Sequence, residues 1–296
     1  MGFEWCALIA ATLWAVAALI SVKPARHLGA FAYSRWRMLM VTLMLATGSL
    51  FTGGWQQLPF SAWPTLALSG LVGIFIGDTA LFACMNRLGP RRSGLLFSCH
   101  ALFSALLGLW LFGEALSGQR LWGAMLVLSG VWLAIAFGRR SQDHDWETVR
   151  GTLWVGVGLG LLAALCQSLG AVIAKPVMAN PAVDPVTASG VRMAAALLAH
   201  SLLRLTRMPL SLPERPINRE ILALISVNGF LAMALGMTLI LVALRFGDVG
   251  MVSILSSTTP VILLPLLWWH TGSRPTLPAW IGALLATTGT ALVLSA

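Results

Sequence analysis

Asp78 is the only acidic residue lying well inside a long apolar stretch of this chain. A carboxylate withdrawn from water is costly, so it either takes up and releases a proton or is held in an ion pair. Arg37 is the natural partner, because the two residues lie toward the same end of neighbouring apolar stretches that would run antiparallel. The sequence leaves both readings open: a proton-coupling pair or a structural one. Near the middle of other stretches lie further polar or aromatic groups, each with a binding reading and a packing reading. His100 lines a cavity and protonates, or is a satisfied packing residue. Trp14 offers a stacking or cation–π face, or fills a core. Gln167 and Ser168 hydrogen-bond a solute, or bond between helices. Asn228 and Thr258 complete the set. Thr258 belongs to the run Ser256–Thr259 before Pro260, whose ring removes a backbone bond and frees a carbonyl that faces a cavity or is satisfied by those hydroxyls.

Trp14, His100, Gln167, Ser168, Asn228 and Thr258 are therefore the candidate substrate contacts, and Asp78 with Arg37 the candidate coupling pair. An intramembrane enzyme would need a nucleophile and base or a metal cluster. The sequence has no His-Glu-x-x-His, no Gly-x-Ser-x-Gly and no second intramembrane acid beside Asp78. A channel would call for a charged ring or a filter sequence, and neither stands out. The glycines at 70, 73 and 77 precede no strand and no Lys-Ser/Thr, so they read as helix-packing positions and not as a phosphate loop. The four cysteines, Cys6, Cys84, Cys99 and Cys166, lie in apolar segments without metal-ligand spacing. No metal, cofactor or enzymatic activity is expected.

These groups must be positioned by helices in lipid. Only 10% of the 296 residues are charged while 58% are hydrophobic, against about 25% charged in soluble domains. The long apolar stretches fall at approximately 3–22, 32–52, 63–85, 93–112, 121–138, 152–174, 186–205, 220–244, 249–269 and 277–295. Each suits a bilayer core about 30 Å thick, which asks for about 20 residues. They are too long and too continuously apolar for the alternating strands of a transmembrane barrel. Most of the thirteen tryptophans lie near the segment ends, as an interfacial belt does. The formal charge of +9 is confined largely to connections, which points to lipid head groups and orientation rather than nucleic acid. The first stretch carries Glu4 where a cleavable signal would carry Lys or Arg.

Paired landmarks divide the chain in two. Lys23-Pro24 is answered by Lys175-Pro176, Arg37-Met38 by Arg192-Met193, Arg87-x-Gly89 by Arg245-x-Gly247, and Trp122 by Trp280, at offsets of 152, 155, 158 and 158. The polar connection 139–150 separates the halves. The expected organisation is a repeat over 1–140, a linker over 141–150 and a second repeat over 151–296. Five helices per half force the second half to insert upside down, giving an all-α membrane protein of ten transmembrane helices in two inverted repeats. Two repeats in one chain are compatible with a monomer or a homodimer.

The stretch from Gly77 to Leu116, with Leu88-Gly89-Pro90-Arg91-Arg92 in a turn and Gly113-Glu114 at its end, is similar to the drug/metabolite transporter superfamily, EamA type. Pro260 stands where that family has a proline in its ninth helix. Ala101 replaces the corresponding proline of the fourth, and Gly272-Ser273 stands in place of a second Gly-Glu. The resemblance covers nearly the whole chain. It implies a secondary transporter moving a small metabolite or drug, an amino acid being one candidate and export the expected direction, by alternating access in the cell's inner (plasma) membrane. Fourteen basic residues fall in the odd-numbered connections and three in the even ones, so both termini are expected on the non-cytoplasmic side. Cysteines placed in 141–149 should react with an impermeant thiol reagent only after the membrane is opened; labelling of intact cells would reverse this orientation.

Overall fold

The computed structural model describes residues 2–115, 118–136, 151–206, 212–271 and 276–295; the 141–150 linker and Gly272-Ser273 lie outside them. The described residues are helical throughout, with no strand among them. In order the long helices are α1 (Phe3–Leu28), α2 (Ala30–Thr52), α3 (Ala62–Gly89), α4 (Arg92–Phe112), α5 (Gly118–Ala136), α6 (Leu153–Met178), α7 (Pro185–Leu205), α8 (Arg219–Phe246), α9 (Val249–Leu266) and α10 (Leu277–Leu294). Eight of these are long and apolar enough to cross a membrane. The other two are α2, which carries Ser34, Arg35 and Arg37, and α5, which opens on Gln119 and Arg120. Helix starts follow local chemistry. Asp184 accepts from the Val186 and Thr187 amides ahead of Pro185 at the first turn of α7, and Asn218 accepts from the Ile221 amide at the start of α8.

Two helices run past the prolines that close their apolar stretches. α1 continues through Pro24 to Leu28, and α6 through Pro176 to Met178. A proline in the last turns removes one hydrogen bond without preventing the following turn from forming. Between α3 and α4, Gly89 sits at φ 81, ψ 164, a left-handed geometry open to a residue without a Cβ.

The packing has the symmetry of an inverted repeat. α5 and α10 meet reciprocally. A methyl group built on Gly130 would lie 2.5 Å from the Gly282 carbonyl oxygen, and one on Gly282 2.6 Å from that of Gly130; Gly123 and Gly289 behave likewise at 2.8 and 2.6 Å. Residue numbers rise along one helix as they fall along its partner, so the repeat-related helices are antiparallel, as a two-fold axis lying in the membrane plane requires. α2 and α7 are antiparallel too: Ser49 meets Thr187 at 2.6 Å and Thr52 donates to Asp184 at 3.0 Å. The seams between unlike helices also correspond. On the α3–α6 seam Gly77 faces Cys166; on the α1–α8 seam Gly236 faces Trp14. Offsets of 152 and 158 carry the first pair to within one residue of the second.

Small residues make these approaches possible. The buried face of α1 includes Ala7, Ala10, Ala11, Ala15 and Ala17, which lets α1 sit against both α8 and α9. Where lipid is as apolar as the side chains, close backbone packing replaces the hydrophobic effect as the force between helices. Large apolar side chains such as Phe51, Trp110, Trp154 and Trp269 point outward instead.

Each of α3 and α8 contains a π-helical stretch that apolar patterning did not signal, Leu71–Ile76 in one and Phe230–Met237 in the other. Their starts are 159 residues apart, the repeat spacing. Gly70 and Gly229 precede them and pack onto the two buried arginines of the opposite repeat. A methyl group on Gly70 would lie 2.2 Å from the Arg192 carbonyl oxygen, and one on Gly229 3.4 Å from Arg37 Cγ and 2.7 Å from Val41 Cγ2. Gly70→Ala should therefore lower unfolding free energy by about 1–3 kcal/mol, the usual cost of overpacking. Gly158→Ala, with nothing within 4 Å of the added methyl, should be neutral or slightly stabilising. Denaturation in mixed micelles compares the two.

Candidate functional site

Asp78 begins the turn after the π stretch of α3, and burial there demands a partner. The Arg37 guanidinium donates from Nη2 to Asp78 Oδ2, and both side chains are buried. The Arg37 cation also lies over two rings, 5.4 Å from the Tyr33 centroid and 4.7 Å from that of Phe82, which are themselves edge-to-face. A guanidinium is weakly hydrated and suits such a stacked, paired environment. Tyr33 passes the network on: its hydroxyl donates to Asn228 Oδ1 at 2.9 Å, and Asn228 Nδ2 donates to the Ala17 carbonyl at 2.7 Å. Three of the sequence candidates, Arg37, Asp78 and Asn228, thus belong to one buried network spanning α1, α2, α3 and α8.

On α7 Arg192, the repeat counterpart of Arg37, is equally buried, with its backbone packed on Gly70 of α3. Next along the seam, Thr79 and His200 are 3.1 Å apart, with the His200 ring edge-on to Phe75 and Phe31. Each repeat thus brings one buried guanidinium to α3: Arg37 pairs with Asp78, and Arg192 lies against Gly73. Sequence reasoning singled out Asp78 and Arg37 but not Arg192, Tyr33 or Thr79 as site residues. For Arg192 the signal was present in the duplicated Arg-Met pair, which was read only as a landmark.

Trp14 lies on the α1–α8 seam. Its indole N–H donates to the Ala232 carbonyl at 2.8 Å, inside the π stretch. Widening a helix to π spacing disturbs the regular bonding ladder, and here a side chain from the neighbouring helix supplies a donor.

The remaining candidates gather around breaks in α4 and α9. α4 is interrupted at Cys99, between Ser98 and His100, although Ala101 stands in place of a proline. α9 is interrupted at Ser257 and Thr258 ahead of Pro260. Ser168 on α6 donates toward the His100 and Ala164 carbonyls at 2.8 and 3.1 Å and receives from Ser104 at 3.0 Å. The buried His100 ring lies 5.1 Å from Phe97, and its Nδ1 has no hydrogen-bond partner. Gln167 is half-buried beside Ser168. In α9 the hydroxyls of Ser256, Ser257, Thr258 and Thr259 each bond the carbonyl three residues back, at 2.7 to 3.1 Å. Thr258 thus spends its donor within its own helix, leaving its oxygen lone pairs as what it can offer a solute.

The EamA-like transporter family matches this chain over residues 3–136 and again over 154–295. A solute carrier family 35 member B1 homolog of Drosophila melanogaster is 26% identical over 106 residues, covering 34% of this chain and 31% of that protein. A WAT1-related chloroplastic protein of Arabidopsis thaliana is 25% identical over 194 residues, covering 64% of this chain and 44% of that one. The matches thus span a third to under half of these relatives' length. One crystal structure superposes with a TM-score of 0.77 at 20% identity, covering 98% of this chain and 95% of the other, which supports the fold alone.

Trp14→Phe deletes the donor to Ala232 and trims the indole to a smaller ring. Unfolding free energy in micelles should fall by at least about 0.6 kcal/mol, the average for a hydrogen bond between membrane helices, with a further loss from the vacated packing space.

Proposed function

Because the chain belongs to the EamA-like transporter family, within the drug/metabolite transporter superfamily, we propose that it is a secondary transporter that carries a small organic solute across the cell's inner membrane by alternating access. In this reading ten helices cross the bilayer in two five-helix units, 1–140 and 151–296, joined by 141–150. The observation that carries it is the pair of symmetry-related interruptions, π stretches in α3 and α8 and breaks in α4 and α9, set around the buried charges of α2, α3 and α7. Interrupted helices near a repeat interface supply polar backbone and charge to a solute where continuous helices would present only side chains.

The two ends of the bundle differ as an alternating cycle requires. At one end Lys175 pairs with Glu114 at 3.0 Å and donates to the Gly247 carbonyl, while Glu114 accepts from the Val249 amide at 2.7 Å; these side chains are 19% and 10% exposed. They tie α4, α6, α8 and α9 together. At the other end the repeat counterpart, Lys23, meets Glu220 with both side chains 62% exposed. The Leu28 carbonyl also accepts from the Glu214 amide at 3.1 Å and the Pro216 carbonyl lies 2.8 Å from His27 Nε2, so both ends are tied, but the lysine–glutamate pair is withdrawn from solvent at one end only, an asymmetry that supports unequal ends. Solute binding that favours one arrangement would shift the equilibrium between the two. Trp14, His100, Gln167, Ser168, Asn228 and Thr258 are the proposed solute contacts.

Asp78 and Arg37 are the proposed coupling pair: a proton taken by Asp78 would release Arg37, and its loss would restore the ion pair. The test is transport by purified protein in proteoliposomes. Asp78→Asn should leave solute exchange in place and remove accumulation driven by an imposed pH gradient, by tenfold or more in our expectation, about 1.4 kcal/mol of driving force. Undiminished gradient-driven accumulation by a folded, monodisperse Asp78→Asn protein would end the coupling proposal.

A further inference from the structure

The duplicated unit has kept two buried arginines but one acid. Arg37 on α2 and Arg192 on α7 occupy corresponding places, each packed against a glycine that opens a π stretch in the other repeat. Arg37 has Asp78 as its ion-pair partner and two aromatic rings beneath it. At the repeat offsets of 158 and 159 the place of Asp78 falls to Gly236 and Met237, and Thr238 follows. None of these can supply a negative charge. Arg192 is 2% exposed, and both its Nε and its Nη1 are buried without a hydrogen-bond partner. Among the described residues none forms an ion pair with it.

A guanidinium buried with most of its donors unused is expensive, and the expense falls when an anion docks on it. Its guanidinium lies along the glycine face of α3: a methyl group on Gly73 would lie 3.5 Å from Arg192 Nη2 and 3.1 Å from Gly170 Cα on α6, so the charge sits where α3, α6 and α7 meet. The pattern is a buried positive charge at a three-helix contact with no negative charge paired to it.

We propose that Arg192 anchors the carboxylate of the transported solute, and that the substrates are small organic monoanions. One negative charge would pair the guanidinium; a cation would be repelled by it, and a neutral molecule would leave it unpaired. The proposal rests on the transporter reading and refines it. Specificity of this kind arises because a buried donor left empty penalises the wrong ligand.

The experiment measures thermal stabilisation of the purified full chain by benzoate, benzamide and benzylamine, which share a ring and differ in charge. Benzoate should stabilise the protein, and the other two should not. Arg192→Gln, which removes the Nε and Nη1 donors that have no hydrogen-bond partner, should fold and should bind benzoate roughly ten- to a hundredfold more weakly, as loss of a charged hydrogen bond implies. Arg192→Lys should recover part of the loss, since it restores charge without the planar fork. Equal stabilisation by benzamide or benzylamine, no response to benzoate, or unchanged benzoate affinity in Arg192→Gln would each overturn the proposal. If Arg192→Gln does not fold, the charge selectivity of the unmodified protein decides alone. Counterflow of labelled benzoate in proteoliposomes separates the two readings: Arg192-dependent binding without movement would refute transport of this class and leave the anion site standing.

Discussion

A carboxylate held away from water by the guanidinium of a neighbouring helix constrains everything near it. Asp78 cannot be buried without Arg37, and Arg37 cannot reach it unless α2 lies against α3 at one particular height. The same helix carries Gly70, which lets α3 touch the α7 backbone at Arg192. Electrostatics and close packing are thus mutually dependent here. The charges need a dry, exact spacing, and the glycines permit it.

Around that centre the two-fold relation repeats each device with variation. Glycines at 123, 130, 282 and 289 join α5 to α10 almost identically from both sides. Elsewhere symmetry is broken by chemistry. Trp14 meets the π stretch of α8, where Cys166 meets the start of the helical turn after the π stretch of α3. Lys175 is drawn into a partly buried cluster with Glu114, where Lys23 keeps an exposed pair with Glu220. A bundle with perfect symmetry would have two equal ends. These differences leave the two ends with unlike lysine–glutamate contacts, part-buried at one and solvated at the other.

The breaks in α4 and α9 show how local sequence and packing share the task. In α9 Pro260 removes an amide donor, and the preceding hydroxyls bond back to carbonyls one turn earlier. In α4 no proline is present at Ala101, yet the helix is interrupted at Cys99 and the His100 carbonyl is bonded from α6 by Ser168. A neighbour thus satisfies what the chain itself does not.

The primary sequence determined the lipid-spanning character, the helical class and the duplication, because hydropathy over about 20 residues and landmark spacing are properties of the chain alone. It also marked Asp78 and Arg37 as joint candidates, since buried acids are rare and need cations. It did not reveal the π stretches at 71–76 and 230–237, because a single inserted turn leaves apolar patterning unchanged. Nor did it separate Trp14 and Asn228 on one seam from His100 and Ser168 on another. Those assignments depend on which helices face each other and at what height, and that is decided only when glycine and alanine contacts set the distances between backbones. The unpaired state of Arg192 is of the same kind: its residue type is written in the chain, but the absence of a hydrogen-bond partner for two of its nitrogens is a fact of the assembled bundle.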